Sequence, residues 1–282
     1  MKKAVISMIA ILMIFCSACN ENKTRVAEGS FEYTEENLPK ICVAENTYNY
    51  GVNIVAAVLG IDAQQAAQHL LVAENTDDCY MNLINGNCDM VIAYEYGKNV
   101  GQELSKTSLE LNSFDIKQDA LVFFTNSNNE VSDLSTEQLL KIYKREIIDW
   151  SEISGKLMPI TLFGQDESTA VKATFERYFT EEIIVPPVLQ TIETVDGKYT
   201  AQVYFDNRNG SIGYDLLSNY DFTESVKLLS VNSVLPGAET LENGQYPFKT
   251  SVKISIKQSE NTRMPVFLLY DWLCNGQGKQ LF

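Results

Sequence analysis

The chain has 282 residues, 45% of them hydrophobic, enough apolar material for one large domain or two medium ones with real cores. Its 37 Asp and Glu against 22 Lys and Arg give a formal charge of −15. No Lys or Arg cluster is present, so nucleic acid is excluded as a partner, because phosphate backbones are held by basic patches; the acidity serves solubility.

Met1-Lys2-Lys3 is basic, and Ala4 to Phe15 is an apolar run too short to span a bilayer as a mature helix. Residues 1–18 therefore read as an export signal. Cys16-Ser17-Ala18-Cys19 resembles a bacterial lipobox, with Cys16 where a Leu is usual. Cleavage is expected before Cys19, whose lipid would tether the protein to the membrane without spanning it; an ordinary cleaved leader is the alternative. Residues 19–37 are polar and aperiodic and predict a flexible tether. Export places Cys42, Cys79, Cys88 and Cys274 where disulfides are permitted. Their pairing stays open between a Cys79–Cys88 bridge and buried free thiols.

From Leu38 the chain alternates between two periods. Ile41 to Glu45 predicts a strand, Val52 to Ile61 a helix, His69 to Ala73 a strand, and a helix follows from Thr76, its N-cap, with Tyr80, Leu83 and Ile84 on the buried stripe. Gly86 and Asn87 end that helix, and Asp89 opens the strand Met90 to Ala93. Ala120 to Thr125 is a strand, and Ser135 to Tyr143 a helix with a Ser135–Gln138 capping box. Ile160 to Phe163 predicts a strand; after a polar break, Val171, Phe175, Tyr178 and Phe179 mark one face of a helix. Ala201 to Arg208 reads as a helix, and strands follow at Gly210 to Leu217, Val226 to Val231 and Lys249 to Ile256. A terminal helix runs from Met264 through Trp272. This rhythm predicts an α/β fold with a largely parallel sheet, whose ligands gather at the carboxyl ends of the strands.

Candidate chemistry is sparse. The chain lacks Gly-x-Ser-x-Gly, a P-loop and Cys-x-x-Cys, and His69 is its single histidine. Nucleophilic catalysis and a metal site built on His or Cys both lack their parts, so no enzyme, metal or cofactor is expected. Asp166 and Glu167 adjoin an expected cleft, but neighbours in sequence do not flank a bond from both sides. Trp150 and Trp272 read as core, and His69 as a partly buried structural residue. Tyr48 and Tyr50 suit an aromatic wall.

Five segments in order, residues 80–94, 118–150, 210–218, 226–248 and 268–282, resemble the phosphate-type solute-binding proteins of bacterial ABC importers. The carriers are a Ser-x-x-Gln helix start, the segment closing at Trp150, Ile212-Gly213-Tyr214, Tyr246-Pro247, and Trp272 followed by Gly276-Gln277. The resemblance implies a two-lobed periplasmic-binding fold of type II, each lobe a mostly parallel sheet flanked by helices. Lobe 1 would comprise 38–118 plus 222–282, lobe 2 would be inserted as 119–221, and crossings near Lys117 to Ala120 and Tyr214 to Phe222 would form a hinge. It further implies a monomer at the bacterial cell envelope, on the periplasmic or extracellular face, that passes a small polar solute to an ABC permease in the membrane.

The family's ligand residues carry over incompletely. Where members place an arginine and a Ser-Gly-Ser or Ser-Gly-Thr triplet, this chain has Gln165 and then Thr169, Ala170 and Val171, with Ser168 as a second hydroxyl. The first-loop motif Asp-Gly-Ser-Thr falls on Ala44 to Thr47, leaving Asn46 and Thr47 as donors. Asp89 matches a carboxylate that accepts the proton of a monohydrogen anion. The missing guanidinium removes roughly 1.5–3 kcal/mol, or about one to two orders of magnitude in affinity. Phosphate or a similar oxyanion, and another polar or cationic solute, therefore both stand as ligands. A surface adhesin or sensor that keeps the fold is the alternative function.

Overall fold

The first sheet grows outward from β1 (Ile41–Ala44), whose four residues are all buried. A strand apolar on both sides has to be covered on both faces, and the chain supplies the covers in order. A 3-10 turn at Glu45–Thr47 leads into α1 (Tyr48–Leu59) and the short α2 (Ala63–Ala67). Then come β2 (Leu70–Ala73), α3 (Thr76–Asn85), β3 (Met90–Tyr94) and α4 (Lys98–Thr107). β1 pairs in parallel with β2 on one side and β3 on the other. Ile41, Val43, Met90 and Ile92 enter one core with Val52 and Val55 of α1. Cys42, Ala44, Val91 and Ala93 enter a second with Cys79, Tyr80 and Leu83 of α3 and Val100 and Leu104 of α4. α1 lies so close to the sheet that a Cβ at Gly51 would stand 2.6 Å from Val43 Cγ1, so a larger residue there would lift the helix.

The computed structural model describes residues 31–163, 170–179, 209–220, 226–259, 261 and 263–282. Its second half follows β4 (Leu111–Asn126) with β5 (Asp133–Leu134), α5 (Thr136–Tyr143), β6 (Thr161–Leu162), α6 (Ala170–Tyr178) and β7 (Ser211–Leu216). β8 (Val226–Leu228), β9 (Ser230–Val231), α7 (Ala238–Glu242), β10 (Lys249–Lys257) and α8 (Pro265–Asn275) complete it. The strand order is β2-β1-β3-β10-β4-β7-β6, with β8 also on β4. β4 pairs antiparallel with β10 over Leu111 to Ala120, then antiparallel with β7 over Leu121 to Thr125. Its partner thus changes from β10 to β7 between Ala120 and Leu121, at the end of the segment 117–120 expected as a crossing.

Several expectations need correction. β4 begins at Leu111 rather than Ala120, because its first half alternates between half-buried and exposed positions and shows no apolar run. β8 and β9, expected in lobe 1 as part of 222–282, pair with β4 beyond the crossing and with β5. The return to the first sheet therefore comes with β10, where Leu121 N donates to Phe248 O at 2.9 Å. The cap of α3 is Asn75, whose Oδ1 accepts from Asp78 N at 2.9 Å, so Thr76 is the first helical residue. By contrast, Ser135 and Gln138 close both bonds of the expected capping box, and Trp150 and Trp272 are core residues. The helix expected at Ala201 to Arg208 lies outside the described residues.

Aromatic rings fill the second lobe. Phe175 of α6 stacks on Tyr214 of β7 at 4.2 Å and on Phe179 at 4.6 Å, with Tyr143 of α5 edge-on at 5.0 Å. Such pairs contribute about 0.5–1.5 kcal/mol each beyond area burial. They fix α6 against β7 and so set where α6 meets the first lobe.

Two carboxylates are buried at the crossing. Asp119 Oδ2 accepts from Tyr94 Oη and Ser218 Oγ, both at 2.6 Å, which ties β3 and the end of β7 to β4. Asp215 accepts from Leu216 N at 2.7 Å and Asn219 Nδ2 at 3.0 Å. Burial pushes its carboxyl up to about 6; the bonds from Asn219 and Leu216 oppose that shift, and the neighbouring Asp119 charge adds to it. Because the folded value lies above the unfolded one, the associated stability is fully present below about pH 4 and is lost as pH rises through about 6. Asp215→Asn is expected to be more stable than the parent by up to roughly 3 kcal/mol at pH 7.5, with the difference vanishing near pH 4. Urea denaturation across that range tests this; a difference independent of pH would reject it.

Candidate functional site

The carboxyl ends of the three parallel strands lie on one edge of the first lobe, and each strand is followed at once by a glutamate. These are Glu45 after β1, Glu74 after β2 and Glu95 after β3. α1, α3 and α4 begin close behind them, so backbone N–H groups of three helix starts share this edge with the acids. From the second lobe, α6 comes down onto it. Arg177 Nη1 pairs with Glu95 Oε2 at 2.8 Å, and its Nη2 donates to Tyr96 O at 3.5 Å.

Gly97, the N-cap of α4, lies between α3 and α6. Its N–H donates to Asp77 Oδ1 at 2.7 Å, and a Cβ there would stand 3.0 Å from Asp77 Oδ2 and 3.4 Å from Ala173 Cβ of α6. Burial pushes the Asp77 carboxyl up, against the pull of the Gly97 bond, and the charge of Asp78 adds to the rise. Below, Tyr96 meets Tyr80 edge-on at 5.0 Å, and Tyr80 Oη lies 3.3 Å from Ser255 Oγ. Among the described residues the edge therefore combines one guanidinium and several carboxylates with helix-start backbone, of which the Gly97 and Asp78 N–H groups are already bonded within the protein.

The expected ligand residues separate. Thr47 is buried at the right edge, but its hydroxyl lies 2.6 Å from Ile92 O and 3.1 Å from Ala44 O as donor and accepts from Ala44 N. It ties the first loop to β3, which occupies its hydroxyl proton. Asn46 is exposed in the same turn. Asp89 stands at the amino end of β3, the far end from Glu95, where its Oδ2 accepts from Lys40 N at 2.8 Å. It is a strand-start carboxylate and does not reach the carboxyl edge. Ala170 and Val171 form the first turn of α6 with their side chains in the core. Gln165, Ser168 and Thr169 lie outside the described residues. Tyr48 and Tyr50, in the first turn of α1, are half-buried and pack against the core.

Glu95 and Arg177 are the residues that the sequence reading missed. Glu95 had a signal, since it follows the last residue of a parallel strand. Arg177 had none, because its neighbour comes from a separate lobe.

A family model described as a PBP superfamily domain matches residues 43–270. Among curated relatives, the phosphate-binding protein PstS of Bacillus subtilis is 31% identical over 122 residues, covering 43% of this chain and 39% of its own length. That of Borreliella burgdorferi is 22% identical over 174 residues, covering 58% of this chain and 60% of its own. The chain thus spans less than two thirds of either relative. Among solved structures, an ABC-type phosphate transport receptor from Vibrio cholerae superposes with a TM-score of 0.64 at 17% identity, over 86% of this chain and 96% of that one.

The Glu95–Arg177 pair is partly exposed, so its stabilising effect is about 0.2–1 kcal/mol. Arg177→Met should therefore change urea stability very little while loosening the contact between α6 and the first lobe. Solution scattering is expected to show a larger radius of gyration for the variant. An unchanged profile would mean that packing around Gly97 and Ala173 holds the lobes without the pair.

Proposed function

The chain belongs to the PBP superfamily, and from that premise we propose that it is the solute-binding receptor of an ABC importer outside the cytoplasm. It takes phosphate or a related small polar solute between its lobes and hands it to a membrane permease. The observation that carries this reading is the meeting of α6 with the carboxyl edge of β1, β2 and β3, joined by Arg177 and Glu95. A ligand seated there contacts both lobes, as a receptor that closes on its cargo requires. The relatives' names support phosphate as the first solute to try. Against tight phosphate binding stand Glu45, Glu74 and Glu95, since carboxylates beside a dianion are costly.

The tether belongs to the same reading. No helix among the described residues is long and apolar enough to cross a membrane, and a lipid on Cys19 would hold the receptor near its permease. Cys19→Ala is expected to move the protein from the membrane to the soluble fraction and to abolish labelling by radioactive palmitate. Retention of both label and membrane location would reject lipidation at Cys19.

Thermal shift with phosphate, sulfate, phosphonates, amino acids and polyamines tests the solute. Phosphate is expected to stabilise the protein with an affinity weaker than micromolar, and Gln165→Arg to strengthen it about 10- to 100-fold. Submicromolar affinity in the parent would sink the account of a missing charge, and no gain in the variant would place residue 165 away from the ligand. Silence toward every solute would favour the adhesin or sensor alternative.

A further inference from the structure

We infer that Cys42, Cys79 and Cys88 form a thiol site that closes a disulfide with Cys42 as one partner, the third cysteine serving as an exchange thiol. All three side chains are buried free thiols in one core cluster beneath α3. Cys42 lies in the middle of β1 and faces α3. Asn82 Nδ2 stands 4.0 Å from Cys42 Sγ, and Cys79 sits one turn earlier on the same face of α3, over the same strand. Cys88 arrives from the start of β3. There Lys40 O accepts from both Asp89 N, at 2.8 Å, and Met90 N, at 3.2 Å, which breaks the strand alternation. Met90 enters the α1 core, while Cys88 joins Cys42 and Cys79 in the other.

The electrostatics agree with this arrangement. Hydrogen bonding from Cys79, then from Cys88, pulls the Cys42 thiol down; the same contact, with burial, pushes Cys79 and Cys88 up. Cys42 is thus the thiol hydrogen-bonded to both others, and the one that either can reach. Among the described residues no group of three His, Cys, Asp or Glu is arranged to hold a metal ion, which favours sulfur exchange over coordination.

The step balances with a disulfide oxidant, R–S–S–R. The Cys42 thiolate attacks one sulfur, forming a mixed disulfide and releasing RS−. Cys79 or Cys88 then loses its proton and attacks the Cys42 sulfur, releasing the second RS−. Two protons and two electrons leave the protein, and the oxidant ends as two RSH. In the cell the step rests on the proposed location outside the cytoplasm, where such oxidants persist; the chemistry itself does not depend on the solute.

The test incubates the full chain with oxidised glutathione at a urea concentration that opens α3 transiently, then alkylates it and maps peptides without reduction. One bridge per molecule is expected from Cys42 to Cys79 or Cys88, with Cys274 alkylated. Cys88→Ala should leave only Cys42–Cys79, and Cys79→Ala only Cys42–Cys88. A Cys79–Cys88 bridge in the parent, a stable glutathione adduct without a bridge, or alkylation of all three thiols would overturn the inference. Thermal shift with solutes, run on the reduced and oxidised protein, keeps failure of the receptor reading separate from failure of this one.

Discussion

β4 runs without interruption from one sheet into the other, and the architecture depends on that continuity. Its first part gives its hydrogen bonds to β10 and its second part to β7, so the two lobes share one ladder. A strand paired along its length bends and twists but does not come apart without exposing backbone groups that need partners. Relative motion of the lobes is therefore confined to a twist about the crossing. Tyr94 at the end of β3 and Ser218 just after β7 both donate to Asp119 there, so such a twist is felt at the edge where Glu95 meets Arg177.

Much of the first lobe was legible because β1 and β3 are buried on both faces and read as continuous apolar runs separated by amphipathic helices. Met90 to Ala93 and the Ser135–Gln138 capping box are local signals, and local signals survive in a single sequence. The first half of β4 was not legible, because Leu111 to Gln118 is a half-exposed ribbon whose composition resembles a loop. The partners of β8 and β9 were not legible for a related reason. β8 and β9 are short strands paired to partners a hundred residues away, and nothing local says which sheet owns them.

The candidate site was legible only in part. Carboxyl ends of parallel strands are predictable places for ligands, and Thr47 was found at one of them. Its hydroxyl, however, serves the protein's own backbone, a use that sequence cannot distinguish from a ligand contact. Asp89 was assigned by motif alone, and its position at the opposite end of β3 shows how far a short pattern can mislead when the register of a strand decides which edge a side chain reaches. Arg177 became a candidate only when α6 was seen against β3.

The Glu95–Arg177 pair also bears on which charge the proposed receptor would prefer. A free anion can share the guanidinium, and because the pair is partly exposed the loss of its Coulomb energy is small. A cation seated on Glu95 would have to displace Arg177, which leaves α6 with an unmatched charge beside the half-buried Tyr96 carbonyl. The pair therefore biases the site modestly toward anions, whereas Glu45 and Glu74 bias it the other way. In the proposed receptor the fixed charges are thus nearly opposed, and helix-start N–H groups would weigh on the outcome only where the protein has not already used them, as it has those of Asp78 and Gly97. Donors of that kind would favour a compact solute with several acceptor oxygens over an extended one.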